Sequence, residues 1–279
     1  MSTLTNPTRT RRQPRKSLGQ HFLIDPRIAN RIVSAAEPTE TDVVVEVGPG
    51  TGILTRRLVE RSGTVVAVEL DQRLASELPG RLGDPPNLTV INADARDVAI
   101  SALSDGAAYK LVANLPYYAA APIMRRFLES EDGPTLMVVM VQREVGEAMT
   151  AKPGRMTLMS VATQFYARAS TVTHVPPRAF RPPPKVSSTV VKLDVRTERS
   201  VGVRDDERFF ELVRAGFAAP RKQLRNSLMQ GSGASAEVVE GVLDQVAIDC
   251  KRRPATLSIE EWGLLDSAWP ADVSRNRDR

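Results

Sequence analysis

Short, mostly apolar runs alternate along the chain with segments whose apolar positions recur every three to four residues. The runs Val43–Val47, Val65–Val68, Leu88–Asn92, Tyr109–Ala113 and Leu136–Val141 read as strands. Between them, Ile28, Ile32 and Val33 follow Asp25-Pro26, an N-cap with proline in the first turn of a helix. Leu54, Leu58 and Val59 predict a second helix, a third runs to about Leu82, and a fourth spans about Ala120 to Glu129. Continuous apolar strands alternating with helices predict a mostly parallel sheet covered on both faces. Such sheets bind ligands outside the carboxyl ends of their strands, where the strand order reverses. The first four runs end on polar motifs: Gly48-Pro49-Gly50-Thr51-Gly52, Glu69-Leu70-Asp71, Asp94 and Asn114.

The pattern changes from Thr171. Pro176, Pro177, Pro182, Pro183 and Pro184 precede Ser188–Asp194, which alternates like an edge or antiparallel strand and predicts a late hairpin closing the sheet. Beyond about Ser200 the periodicity is helical only, through Phe209, Phe210, Leu212, Val213, Phe217, Leu224, Leu228 and Val238–Ile248. The expected organisation is a basic flexible tail (1–16), a catalytic α/β domain (17–199) and a small all-α domain (200–279).

Length and composition fit one main domain with an appendage, since the chain has 279 residues. Cys250 is the sole cysteine and His21 and His174 are the only histidines, so neither a disulfide nor a metal site is expected. No apolar run approaches the roughly 18 residues of a membrane span, and the amino terminus lacks the apolar core of a signal peptide. A cytoplasmic, monomeric protein without membrane contact is the expectation. The net charge of +5 is already supplied by Arg9, Arg11, Arg12, Arg15 and Lys16, which leaves the remainder neutral. Basicity as a whole therefore says little, but its distribution says more. Ala167 to Lys192 and Arg214 to Leu228 are acid-free, and they hold Arg178, Arg181 and Lys185, and Arg221, Lys222 and Arg225, respectively. Two such stretches suggest a surface facing a polyanion.

The chemistry starts at the glycine-rich loop. Glycines let backbone turn sharply and approach a ligand, and Glu69, 21 positions after Gly48, suits ribose hydroxyls. An ordinary tight turn is the alternative. The dinucleotide spacing fails because position 53 is isoleucine, and Pro49 removes an amide that a pyrophosphate would use. S-adenosylmethionine, which has no phosphate, is bound by the same architecture. Asp94 is then suited to accept from its adenine amine, its alternative role being a helix cap.

Asn114-Leu115-Pro116-Tyr117 addresses a particular chemical difficulty. The lone pair of an exocyclic adenine amine is delocalised into the ring. Acceptors aimed at its protons, here the Asn114 carboxamide oxygen and the Leu115 carbonyl, favour a pyramidal, nucleophilic nitrogen. Pro116 fixes the loop, and Tyr117 offers a face on which an extruded base stacks. A simple Asn-x-Pro turn is the alternative.

These residues resemble the adenine amino-methyltransferases. Leu18-Gly19-Gln20-His21-Phe22-Leu23, Val175–Pro182 with Pro184-Lys185-Val186, and Arg221–Leu228 resemble the small-subunit ribosomal RNA adenine dimethyltransferases, the kasugamycin-sensitivity family. That resemblance implies a Rossmann-like methyltransferase fold, S-adenosylmethionine as cofactor, and small-subunit ribosomal RNA in an assembling subunit as partner. It implies dimethylation of two adjacent adenosines in the 3′-terminal hairpin. His21 and Leu23 would line the cofactor site with Gly48, Gly50, Glu69, Asp94 and Asn114, and Gln20 would act as a lid. Phe180 would stack on the base opposite Tyr117, its alternative being a core aromatic. Tyr118 stands where several relatives carry asparagine, which implies altered loop packing. The resemblance leaves three rivals: a macrolide-resistance enzyme acting on large-subunit RNA, a small-molecule methyltransferase and a non-catalytic assembly factor.

Overall fold

A computed structural model describes residues 21–271, so the tail 1–16 and Gln20 lie outside the described residues. The chain runs β1 (Phe22–Leu23), α1 (Pro26–Ala36), β2 (Val43–Val47), α2 (Thr55–Val59), β3 (Thr64–Glu69), α3 (Gln72–Leu82) and β4 (Leu88–Asn92). It continues through β5 (Tyr109–Asn114), α4 (Ala120–Glu129), β6 (Leu136–Gln142), α5 (Arg143–Met149), α6 (Leu158–Tyr166) and β7 (Ala167–Val175). The short β8 (Phe180–Arg181) and β9 (Ser188–Val195) follow, then α7 (Asp206–Gly216), α8 (Leu224–Ser232), α9 (Ala236–Gln245) and α10 (Ile259–Ala268).

Seven strands form one sheet in the order β4-β3-β2-β5-β6-β9-β7. All neighbours from β4 to β6 are parallel, and β9 alone runs against the rest, between β6 and β7. This is the Rossmann-like arrangement expected from the sequence, with the helical region after it. The late hairpin exists as β7–β9, but its second strand is internal, and β7 forms the edge. β9 alternates weakly because both its faces are covered: Val190, Val191 and Leu193 are all buried. The acid-free stretch that begins at Ala167 thus opens with β7, an edge strand whose residues are half solvated, and runs through β8 into β9.

Alternate residues of the strands supply two cores. Val44, Val65, Val112 and Val138 pack with Ile28, Ile32 and Val33 of α1 on one face. Val45, Val66, Leu111 and Met137 pack with α4 and α6 on the other. α1 is held at its start by Asp25, whose side chain accepts from the Arg27 amide, and Asp71 caps α3 by accepting from Arg73 and Leu74.

The second core does not stop at the sheet. Phe165 of α6 stacks on Phe209 of α7 with centroids 4.8 Å apart and meets Phe210 edge-on at 5.3 Å. Arg199 lies over the Tyr166 ring at 4.6 Å and bonds Asp206, clamping the connection between strands and helices. Trp262 of α10 is fully buried in the same cluster. Because the apolar contacts are continuous, Phe165→Ala is expected to cost about 3–5 kcal/mol and to leave a single cooperative transition in urea. Two separate transitions would show that the helical region is stabilised independently.

Candidate active site

The strand order reverses between β2 and β5, because β3 and β4 lie on one side of β2 and β6 lies beyond β5. Outside this point opens a cleft lined by every residue assigned above to the cofactor or to catalysis. Gly48, immediately after β2, has φ +73°, and a Cβ there would stand 3.4 Å from the Asn114 carbonyl oxygen. Gly50 has φ +57°, and a Cβ would come within 3.1 Å of the Phe22 ring. The loop therefore turns in the left-handed region while packed between Asn114 and the amino-terminal segment.

Glu69, the last residue of β3, is buried. Its Oε2 accepts from the Gly50 amide at 3.0 Å, and its Oε1 accepts from the Asp71 amide at 2.9 Å. Burial raises its pKa, and the amides of Asp71 and Gly50 pull the other way. Asn92, closing β4, donates to the carbonyls of Glu69 and Leu70 at 2.8 and 3.2 Å, holding Leu70 as an exposed apolar wall of the cleft. Asp94 lies next along this edge. Its carboxylate takes the Arg96 Nε and, at 2.6 Å, Nη2, and the Arg96 amide at 2.8 Å. The hydrogen bond from the Arg96 side chain holds its pKa below the usual carboxylate range, and burial acts against it.

Asn114 ends β5, and its carboxamide has no hydrogen-bond partner among the described residues. The Leu115 amide donates to Met140 at 3.2 Å and the Ala119 amide to Pro116 at 3.0 Å, so the intervening turn is closed by backbone. The Tyr117 hydroxyl and the Ser188 hydroxyl share a hydrogen bond of 2.8 Å. Burial raises the Tyr117 pKa, which keeps the phenol protonated. His21 stacks on Tyr117 with centroids 5.9 Å apart. Its Nδ1 is 2.8 Å from the Pro182 carbonyl, an acceptor only, so Nδ1 carries a proton.

The amino-terminal motif and the proline-rich motif are one structure. β1 pairs antiparallel with β8, setting Leu23 opposite Phe180 and Phe22 opposite Arg181. Phe180 is buried, lines the cleft and makes no ring pair with Tyr117. Phe180 thus packs in the core and also lines the cleft.

Of the basic candidates, Arg178, Arg181 and Lys185 are exposed on and beside β8, and Arg221 and Lys222 are exposed in the turn before α8. Lys222 reaches Gln230 at 3.2 Å. Acid-free stretches in sequence are not acid-free in space, however. Arg225 pairs with Glu240, Arg168 with Asp194, and Lys192 with both Glu37 and Asp194. Arg225 is thus already neutralised by the chain itself.

Four cleft residues or supports escaped the sequence reading: Glu46, Arg96, Tyr118 as a cleft residue, and Ser188. Glu46 carried a signal, being an acid inside an otherwise all-valine strand. Its side chain is fully buried, and neither oxygen has a partner in hydrogen-bonding geometry. Desolvation pushes its pKa up to about 8; Thr55 partly opposes this, and the nearby Glu69 charge adds to it. Among the described residues no group of three or more His, Cys, Asp or Glu could hold a metal, and no helix is long and apolar enough to cross a membrane.

A Rossmann-like sheet with a glycine loop, strand-end acids and an Asn-Leu-Pro-Tyr turn around one cleft defines a nucleoside-binding methyltransferase. The profile of the ribosomal RNA adenine dimethylase family matches residues 11–263, and the chain belongs to that family. It is 45% identical over 252 residues to a ribosomal RNA small subunit methyltransferase A of Dehalococcoides mccartyi, covering 90% of this chain and 87% of the relative. It is 43% identical to the protein of that name from Bacillus mycoides, covering 91% and 90%. Among solved structures, the 23S rRNA methyltransferase ErmE superposes with TM-score 0.72 at 29% identity, covering 88% of this chain and 98% of that one. A dimethyladenosine transferase from Plasmodium falciparum shares the fold, with TM-score 0.75 at 24% identity over 88% and 96%.

The Glu46 carboxyl gives a signed test. With a folded pKa of about 8 against 4.5 ordinarily, the folded protein keeps a proton that the unfolded chain gives up between those values. Its contribution to stability therefore falls as pH rises from about 4.5 to about 8. Glu46→Gln is expected to make urea midpoints less pH-dependent over that window. An unchanged slope would show that Glu46 is ionised in the folded state.

Proposed function

We propose that the chain uses S-adenosylmethionine to dimethylate the exocyclic amines of two adjacent adenosines in the 3′-terminal hairpin of small-subunit ribosomal RNA. The observation that carries this reading is the Asn114 carboxamide, without a partner, in the same cleft as the Glu69 and Asp94 carboxylates. The cleft fits the cofactor. Glu69 retains lone pairs for hydroxyls beyond its two amide bonds, and Pro49 offers no amide to a phosphate. Bound there, S-adenosylmethionine supplies an electrophilic methyl group on a sulfonium.

The protein's own residues do the rest. Gly48 and Gly50 keep backbone close to the ligand, Glu69 holds ribose hydroxyls, Asp94 accepts from the cofactor's adenine amine, and His21 and Leu23 close the cleft. The Asn114 carboxamide oxygen and Leu115 carbonyl accept from the target amine and orient its lone pair towards the methyl group. Pro116 stiffens the turn. Tyr117, held at its hydroxyl by Ser188 and on its ring by His21, stacks on the extruded base, with Phe180 across from it. No separate base is needed to start the reaction, since the amine becomes acidic once methylated, and positioning supplies the rate.

The sheet-bearing part through residue 199 carries this chemistry, and residues 200–279 contact RNA. Arg178, Arg181, Lys185, Arg221 and Lys222 supply phosphate contacts, which orient RNA without reading its sequence. Arg225 joins them only by leaving Glu240. The partner on this reading is an assembling small subunit, met in the cytoplasm by a monomeric enzyme. Likeness to the 23S rRNA methyltransferase makes large-subunit RNA the alternative to test.

The test is to incubate the protein and methyl-labelled cofactor with immature small and large subunits, then map the modified adenosines. Label is expected at two adjacent adenosines of small-subunit RNA, and Asn114→Ala is expected to lose at least about a hundredfold in rate with its fold intact. Label confined to large-subunit RNA would overturn the substrate, and near-normal rates for Asn114→Ala would overturn the chemistry.

A further inference from the structure

Two residues that line the cleft, Tyr118 and Arg96, are also partly exposed to solvent. Tyr118 follows Tyr117 in the same turn, yet the two differ in environment. Tyr117 is half-buried and fixed at its hydroxyl, whereas Tyr118 is 56% exposed and has no hydrogen bond or ring partner among the described residues. A large aromatic side chain left in water beside a binding cleft gives up burial that it would gain elsewhere. Both tyrosines line the cleft, so the exposed ring belongs to its rim.

Arg96 lines the same cleft and is likewise partly exposed. Asp94 grips the guanidinium through Nε and Nη2. Nη1 is left without a partner among the described residues, and the side chain is 47% exposed. The grip removes most of the entropy that a free arginine would lose on binding, and leaves an oriented donor edge facing outward. An exposed aromatic face and a held guanidinium with a spare donor, lining one cleft, are the combination that takes one nucleotide, the ring for its base and the free N–H for a phosphate oxygen.

We propose that Tyr118 and Arg96 form a rim subsite for the nucleotide adjacent to the extruded adenosine, with Tyr118 stacking on its base and Arg96 contacting its phosphate. The proposal rests on the reading above that the cleft accepts one adenosine of an RNA strand. The chain is covalently continuous, so the neighbour of an extruded base must leave the cleft by its mouth, and these are the side chains it meets there. Where the target is a pair of adjacent adenosines, the subsite holds one while the other reacts. Tyr118 is a binding and positioning residue on this account; it does not touch the reacting atoms.

The test compares the wild-type protein with Tyr118→Ala, Tyr118→Phe and Arg96→Gln. It measures cofactor affinity by calorimetry, binding of a short single-stranded adenosine oligonucleotide by anisotropy, and kcat and KM with small-subunit particles. Tyr118→Ala is expected to weaken oligonucleotide binding and raise the RNA KM by about tenfold or more, with kcat far less affected. Its cofactor affinity should match that of the wild type, which also reports that the cleft is folded. Tyr118→Phe keeps the stacking face and should restore binding, and Arg96→Gln should weaken it in a salt-dependent way. Wild-type oligonucleotide affinity and RNA KM in Tyr118→Ala would overturn the subsite, as would a loss confined to cofactor affinity. If wild-type protein labels only large-subunit RNA, the functional reading falls separately, and the subsite stands or falls on the oligonucleotide measurement.

Discussion

The site depends on one buried carboxylate. Glu69 closes β3, and its two oxygens take the amide of Gly50 from the loop after β2 and the amide of Asp71 at the start of α3. A carboxylate loses much of its hydration on burial, and these charge-assisted bonds return part of it. The glycine loop is therefore tied to the neighbouring strand end by an acid that still has lone pairs facing the cleft. β2 pairs with β5 on its other side, so the same loop lies against the Asn114 carbonyl. The acids suited to a nucleoside cofactor and the amide suited to an acceptor amine are thus brought to one edge by strand pairing alone.

Charge is divided between the inside and the outside of the cleft. Glu69 and Asp94 line the interior, with Glu46 held protonated by burial, while Arg178, Arg181 and Lys185 are exposed on and beside the β8 segment. An acidic interior favours a cationic, phosphate-free ligand, and a basic exterior favours a polyanion. The two preferences oppose each other only if the ligands exchange places. This arrangement explains why a near-neutral protein body can still present a basic surface.

The parallel half of the fold was legible because each strand from Val43 to Gln142 is a short apolar run ending in a polar motif, and register follows from that. The helix Ala120–Glu129 and the cap at Asp25 were legible for the same local reasons. What remained hidden depended on partners far apart in sequence. In sequence β7 falls in a basic, acid-free stretch because Asp194, which pairs with Arg168, lies on β9. β9 was read as an edge or antiparallel strand, and its central place depends on β7. Ser188 acquires its contact with Tyr117 only when β9 crosses beside β6, and Arg225 acquires Glu240 only when α8 meets α9. The amino-terminal and proline-rich motifs were both legible, but their pairing as β1 and β8 was not, since two-residue strands carry no periodicity.

The most direct measurement is calorimetric binding of S-adenosylmethionine by Glu69→Gln, with thermal unfolding followed in parallel. The substitution preserves shape but removes the charge that holds the Gly50 and Asp71 amides. The account predicts affinity lower by about tenfold to a hundredfold, the value of a charge-assisted bond or two, in a protein that still unfolds cooperatively. Wild-type affinity in Glu69→Gln would contradict it, because the carboxylate would then neither shape the loop nor meet the cofactor.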